Sequence, residues 1–137
     1  MLAQALMIIG AALFGLLGTL HLVYTFFTAK FEPRDPATRA AMRAGFPRLT
    51  RRTTLWNAWI GFNASHSLGA MLFAAIYLIL ATAHMPLLRD SAALVWLAVI
   101  ASAGYLALAQ RYWFRTPLIG IALGGACFLG AALALNS

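Results

Sequence analysis

Four stretches of this chain carry no charged side chain and are long enough to cross a membrane: residues 1–29, 53–88, 91–110 and 116–137. A hydrocarbon core of about 30 Å takes roughly 20 helical residues. Within it every backbone N–H and C=O must be satisfied inside the segment, so each stretch is read as an α-helix. The composition agrees, with 63% hydrophobic residues, 9% charged residues and a mean hydropathy of +0.83, whereas a soluble domain carries roughly 25% charge. The expectation is an all-α integral membrane bundle of four transmembrane helices, residues 1–137 forming a single domain. The spans fall at about 3–28, 55–82, 91–110 and 116–136, arranged as two antiparallel hairpins. The first stretch lacks a basic n-region and exceeds a signal peptide's apolar core, so it is read as a retained helix.

Charge supplies orientation. Lys30, Arg34, Arg39, Arg43, Arg48, Arg51 and Arg52 fill the connection between the first two spans, and Arg111 and Arg115 lie between the last two. The middle connection holds Arg89 alone. The positive-inside rule then puts residues 29–53 in the cytoplasm and both termini outside, as in a multi-pass protein of a bacterial inner membrane. The formal net charge of +7 sits beside hydrophobic spans rather than along a groove, which points to membrane lipids and away from nucleic acid. A lone Cys127 excludes a disulfide framework within the chain and a cysteine-based zinc cage.

The basic connection has its own grammar. Asp35 is placed to cap a short helix beginning at Pro36, with Gly45 supplying a left-handed exit and Pro47 preventing continuation. Arg39 and Arg43 share one face of it, so the segment suits the inner leaflet. Thr53 or Thr54 caps the second span, and Thr116 before Pro117 starts the fourth. Gly120 and Gly124 form a GxxxG, and Gly61, Ser65 and Gly69 a small-xxx-small ladder. These allow close packing inside one bundle or within a homo-oligomer.

Polar residues within apolar spans are the functional candidates. His21 precedes Lys30 by nine residues, and His66 lies in the string Gly61-Phe62-Asn63-Ala64-Ser65-His66-Ser67. Trp56, Trp59, Asn63, His66 and Ala70 follow 3-4-3-4 spacing, one stripe of a helix, and His21 shares a side with Tyr24, Thr25 and Thr28. The two stripes can face each other, with Tyr105 entering from the third span. The chemistry expected is a cytoplasm-facing pocket for a lipophilic small molecule with a polar head, such as a lipid, isoprenoid or quinone. His21 and His66 would be its acid–base groups, Asn63, Tyr105 and Tyr24 would line it, and Arg51, Arg52 and Arg111 would stand at its mouth. A purely structural interhelical hydrogen bond is the plain alternative, a bis-imidazole haem site a further one, and an accessory subunit of a membrane complex another. No metal set is read from two histidines without an acidic neighbour. Paired carboxylates, GxSxG, HExxH and P-loop strings are missing, and His84 reads as a surface residue.

The strings Gly18-Thr19-Leu20-His21, Phe31-Glu32-Pro33-Arg34-Asp35, Ala58 to Gly69 and Arg111-Tyr112-Trp113-Phe114-Arg115 resemble a group of short bacterial four-helix inner-membrane proteins to which no activity attaches. A weaker likeness, carried by Arg51, Arg52 and Asn63, is to the membrane-associated eicosanoid and glutathione metabolism family. It implies glutathione as cofactor for a transferase or isomerase. Where that family carries a Glu shortly after its Asn, this chain has Ser65, His66 and Ser67.

Overall fold

The computed structural model describes residues 1–136. It contains six helices and, among the described residues, no strand: α1 (Leu2–Phe27), α2 (Pro36–Ala44), α3 (Leu55–Ala83), α4 (Met85–Asp90), α5 (Ala92–Tyr112) and α6 (Arg115–Asn136). Four of them, α1, α3, α5 and α6, are long and apolar enough to cross a membrane. The ends differ slightly from expectation. α5 runs through Arg111 to Tyr112, because absence of charge marks where hydrocarbon is tolerated and not where a helix must stop. α6 begins at Arg115, with Pro117 in the first turn, where a missing N–H costs nothing. The Met85–Asp90 helix was not anticipated. It has Pro86 in its first turn and follows an exposed His84.

The described residues fall into two compact units. One comprises residues 1–17 and the described chain from Ala70 onward. Its core is a cluster of rings drawn from four helices. Phe14 of α1 meets Phe73 at 5.1 Å, Tyr105 at 5.6 Å and Phe128 at 6.0 Å between centroids. Phe73 and Tyr77 both pack on Phe128, at 5.5 and 5.6 Å. Room for Phe14 comes from the GxxxG of α6. A Cβ on Gly124 would stand 2.9 Å from the Phe14 ring, and one on Gly120 would stand 2.9 Å from Leu17. Two polar side chains fix neighbouring helices in register, the Gln4 amide donating to the Ala81 carbonyl at 2.9 Å and the Tyr77 hydroxyl to that of Leu94 at 2.7 Å.

The other unit is Gly18–Gly69, the end of α1, the basic connection with α2, and the first half of α3. Asp35 caps α2, its carboxylate accepting from Ala37 N–H (3.2 Å), Thr38 N–H (2.9 Å) and the Thr38 hydroxyl (2.6 Å). Thr54 caps α3 by accepting from Asn57 N–H at 3.1 Å. Gly45 corrects the sequence reading. Its φ is −83°, in the extended region, so handedness is not why glycine stands there. Space is, since a Cβ would meet the Ala41 carbonyl oxygen at 2.9 Å and Leu55 at 3.2 Å. The second small-residue ladder is likewise not a packing seam within the chain, for Gly61, Ser65 and Gly69 are exposed and a Cβ on Gly61 would meet nothing within 4 Å.

Two outcomes follow from this packing. Gly124→Ala pushes on a ring caged by three others and destabilises by about 1–3 kcal/mol, whereas Gly104→Ala, which meets nothing within 4 Å, is neutral or stabilising by up to about 1 kcal/mol. Thermal unfolding in detergent measures both, and equal effects would overturn the packing account. For α2, the Thr38 hydroxyl first, then the Thr38 and Ala37 amides, hold the Asp35 carboxyl below its ordinary value. A depressed carboxyl stabilises fully above its unfolded pKa of about 4 and loses that contribution as pH falls through the lower folded value. Amide protection in α2, corrected for intrinsic exchange, is therefore flat from neutral pH down to that range and falls below it, while Asp35→Ala lowers protection at neutral pH and its difference from the wild type narrows as the carboxyl protonates.

Candidate functional site

The polar residues that the sequence marks in α1 and α3 meet within the Gly18–Gly69 unit. His21 Nε2 lies 3.0 Å from Asn63 Oδ1, and the His21 and His66 rings meet at 5.2 Å between centroids with 62° between planes. The two stripes thus face each other. Asn63 fixes the direction of the bond. Its Nδ2 donates to the Trp59 carbonyl one turn earlier at 2.8 Å, which leaves Oδ1 as the atom turned toward His21 and makes Nε2–H the donor. In the neutral ring the lone pair then resides on Nδ1.

The chain leaving α1 completes the setting. The Thr28 hydroxyl donates to the Tyr24 carbonyl and accepts from Lys30 N–H, and Glu32 N–H turns back onto the Ala29 carbonyl at 3.1 Å. This turn returns Phe31 over His21, with centroids 4.4 Å apart and planes at 36°. The Trp59 indole N–H donates to the Phe31 carbonyl at 3.1 Å, so the covering ring is pinned to α3. Tyr24 packs edge-on against Phe31 at 6.1 Å, and the Lys30 ammonium stands 4.0 Å over the Tyr24 ring. Around this cluster the hydroxyls are satisfied locally, Thr25 on the His21 carbonyl at 2.8 Å and Ser67 on that of Asn63 at 2.9 Å.

His21, His66 and Asn63 are therefore brought together, with Tyr24 joined to them through Phe31. Arg51 and Arg52 belong to the same unit but lie exposed in the loop before α3. Tyr105 and Arg111 belong to the other unit, where Tyr105 packs on Phe14 and the Arg111 guanidinium stands 5.9 Å over its neighbour Tyr112. Sequence reasoning missed Phe31 as a contact of the imidazole and Trp59 as its anchor. The available signal was a large aromatic residue set between Lys30 and Glu32, a place with no helical stripe to serve.

The arrangement can orient one imidazole, place a second against it, and offer both to the polar end of an apolar molecule. A haem would need the two rings separated by a porphyrin with a nitrogen of each turned to the iron; instead the rings touch and His21 Nε2 faces Asn63. No group of three or more His, Cys, Asp or Glu that could hold a metal occurs among the described residues, and Glu32 is engaged by Arg39 at 2.6 Å. Comparison with protein-family models, with curated proteins and with solved structures finds no match.

The direction of the His21–Asn63 bond is measurable. Nitrogen-15 histidine spectra report His21 as the Nε2–H tautomer, and Asn63→Leu abolishes that preference while destabilising by about 0.6–1.7 kcal/mol. A wild-type spectrum dominated by the Nδ1–H form would reverse the assignment.

Proposed function

We propose that this chain is a bacterial inner-membrane protein, with both termini outside, that binds the polar head of an apolar small molecule against the His21–His66 pair. Lipids, isoprenoids and quinones are the class that suits it. The observation that carries the reading is the meeting of the two imidazoles, with Asn63 orienting the first. A single interhelical bond requires only one donor and one acceptor, and His21 with Asn63 already supplies them. A second imidazole in ring contact, and an aromatic lid pinned by Trp59, exceed what helix association needs.

The chemistry of such a site is neutral. Imidazole donates and accepts near pH 7 without a permanent charge, and a hydroxyl or carbonyl at the end of a lipid tail is the complementary group. The paired imidazoles of His21 and His66 supply the polar contacts to a head hydroxyl or carbonyl, with Asn63 orienting the first ring. The basic connection, with Arg51 and Arg52, lies on the cytoplasmic side in this reading and biases the site toward ligands entering from the inner leaflet.

Native mass spectrometry of protein extracted in mild detergent tests the proposal. A retained apolar species is expected in the wild type. His21→Ala and His66→Ala each reduce its occupancy by about tenfold, the worth of one lost buried hydrogen bond, with helicity unchanged. Folded variants that both keep the same species at the same occupancy would falsify the binding role.

A further inference from the structure

Residues 46–54, between α2 and α3, form a closed loop unrelated to the imidazoles. Its base is tied by Leu55 N–H, which donates to the Gly45 carbonyl at 2.9 Å, and by the fit of Gly45 against the Leu55 side chain. Its tip is a β-turn. Thr50 N–H donates to the Pro47 carbonyl at 3.3 Å, which puts Arg48 and Leu49 at the central positions. Arg52 N–H then bonds the Thr50 hydroxyl at 3.1 Å.

Compact loops of this kind usually turn their apolar side chains inward to pack themselves. Here Leu49 is 93% exposed and Phe46 is 51% exposed, and Arg48, Arg51 and Arg52 are exposed among them. The acids of the connection are committed elsewhere, Glu32 to Arg39 and Asp35 to the α2 cap. Arg43 is committed too, its guanidinium standing 5.0 Å over Trp56. Three arginines therefore seek anions outside the segment, and the same turn offers two large apolar side chains. Water suits the arginines and leaves Leu49 unsatisfied. A bilayer surface rich in anionic phospholipid suits both, since its phosphates lie directly above acyl chains.

We propose that the Phe46–Arg52 turn is a membrane-inserting tip that seats Leu49 and Phe46 below the headgroups of anionic phospholipids while Arg48, Arg51 and Arg52 engage their phosphates. Insertion of the tip does not require occupancy of the His21–His66 site.

The test uses the full chain with Cys127→Ser and Leu49→Cys, labelled with an environment-sensitive fluorophore and reconstituted into nanodiscs of phosphatidylcholine with or without phosphatidylglycerol. With phosphatidylglycerol, emission is blue-shifted and brightened. In phosphatidylcholine alone it stays aqueous. Replacing Arg48, Arg51 and Arg52 together by Gln lowers the inserted-to-withdrawn ratio by about a hundredfold, and Arg48→Gln alone by about fivefold. Raising the salt concentration weakens insertion in the same direction. Aqueous emission in both lipids overturns the proposal, as does equal insertion in both. So does burial of the probe that tracks protein density instead of phosphatidylglycerol, which would indicate a second copy of the chain.

Discussion

A polar side chain carried by an apolar helix has to place its hydrogen bonds on the protein, and that constraint organises both units. No buried side-chain polar atom among the described residues lacks a partner. The simplest solution is local. Thr25, Thr28, Ser67, Thr82 and Ser102 return their hydroxyls to the carbonyl four residues earlier, an arrangement that satisfies the group and says nothing about neighbouring helices. The side chains that reach another helix are different in kind. Gln4 and Tyr77 bond to carbonyls of α3 and α5, and His21 bonds to Asn63. Each sets the register of one helix against another within its unit, because sliding by a residue would strand the group in hydrocarbon at a cost of several kcal/mol.

That distinction explains what could be read from the chain without coordinates. The spans were legible because hydrocarbon tolerates few charges, and the Asp35 and Thr54 caps because capping is a matter of adjacent residues. The facing of His21 and the Asn63–His66 stripe was legible because helical spacing fixes which residues share a side. Contacts made by irregular chain were not. Phe31 reaches His21 only because the turn after Thr28 doubles back, and no periodicity encodes that path. Gly45 shows the same limit in reverse: glycine was expected for its left-handed freedom, yet the position is extended and glycine is favoured there by the closeness of the Ala41 carbonyl oxygen, with Leu55 beyond it. Tyr105, assigned to the pocket on depth, packs on Phe14 within its own unit, a contact that depth along a span does not encode.

The units also use small and aromatic residues to opposite ends. In the first, Gly120 and Gly124 remove bulk so that Leu17 and Phe14 can lie against α6, and the rings fill the space between four helices. Such a core is specific in shape, and close packing together with the Gln4 and Tyr77 hydrogen bonds has to hold helices that gain nothing from hydrophobicity when lipid is the competitor. In the second, the rings of Phe31, Tyr24 and Trp59 gather around polar atoms, and two of the three contacts involve a hydrogen bond or a cation.

The choice of asparagine at position 63 narrows what such a polar cluster can do. A carboxylate would orient His21 equally well and is the usual partner of a working imidazole, but it would carry a net charge into a span that otherwise has none, where charge is costly unless paired. Asn63 supplies the same acceptor without the charge, and its other end is held by the Trp59 carbonyl, so the amide cannot flip without losing a bond. The imidazole is thereby oriented while the pair of spans remains neutral. An uncharged orienting group suits recognition of an uncharged polar head more than stabilisation of an imidazolium. In the proposed binding role, a hydroxyl- or carbonyl-bearing head would therefore suit the Asn63-oriented imidazole better than an anionic peptide such as glutathione, whose carboxylates would need the exposed arginines of the loop.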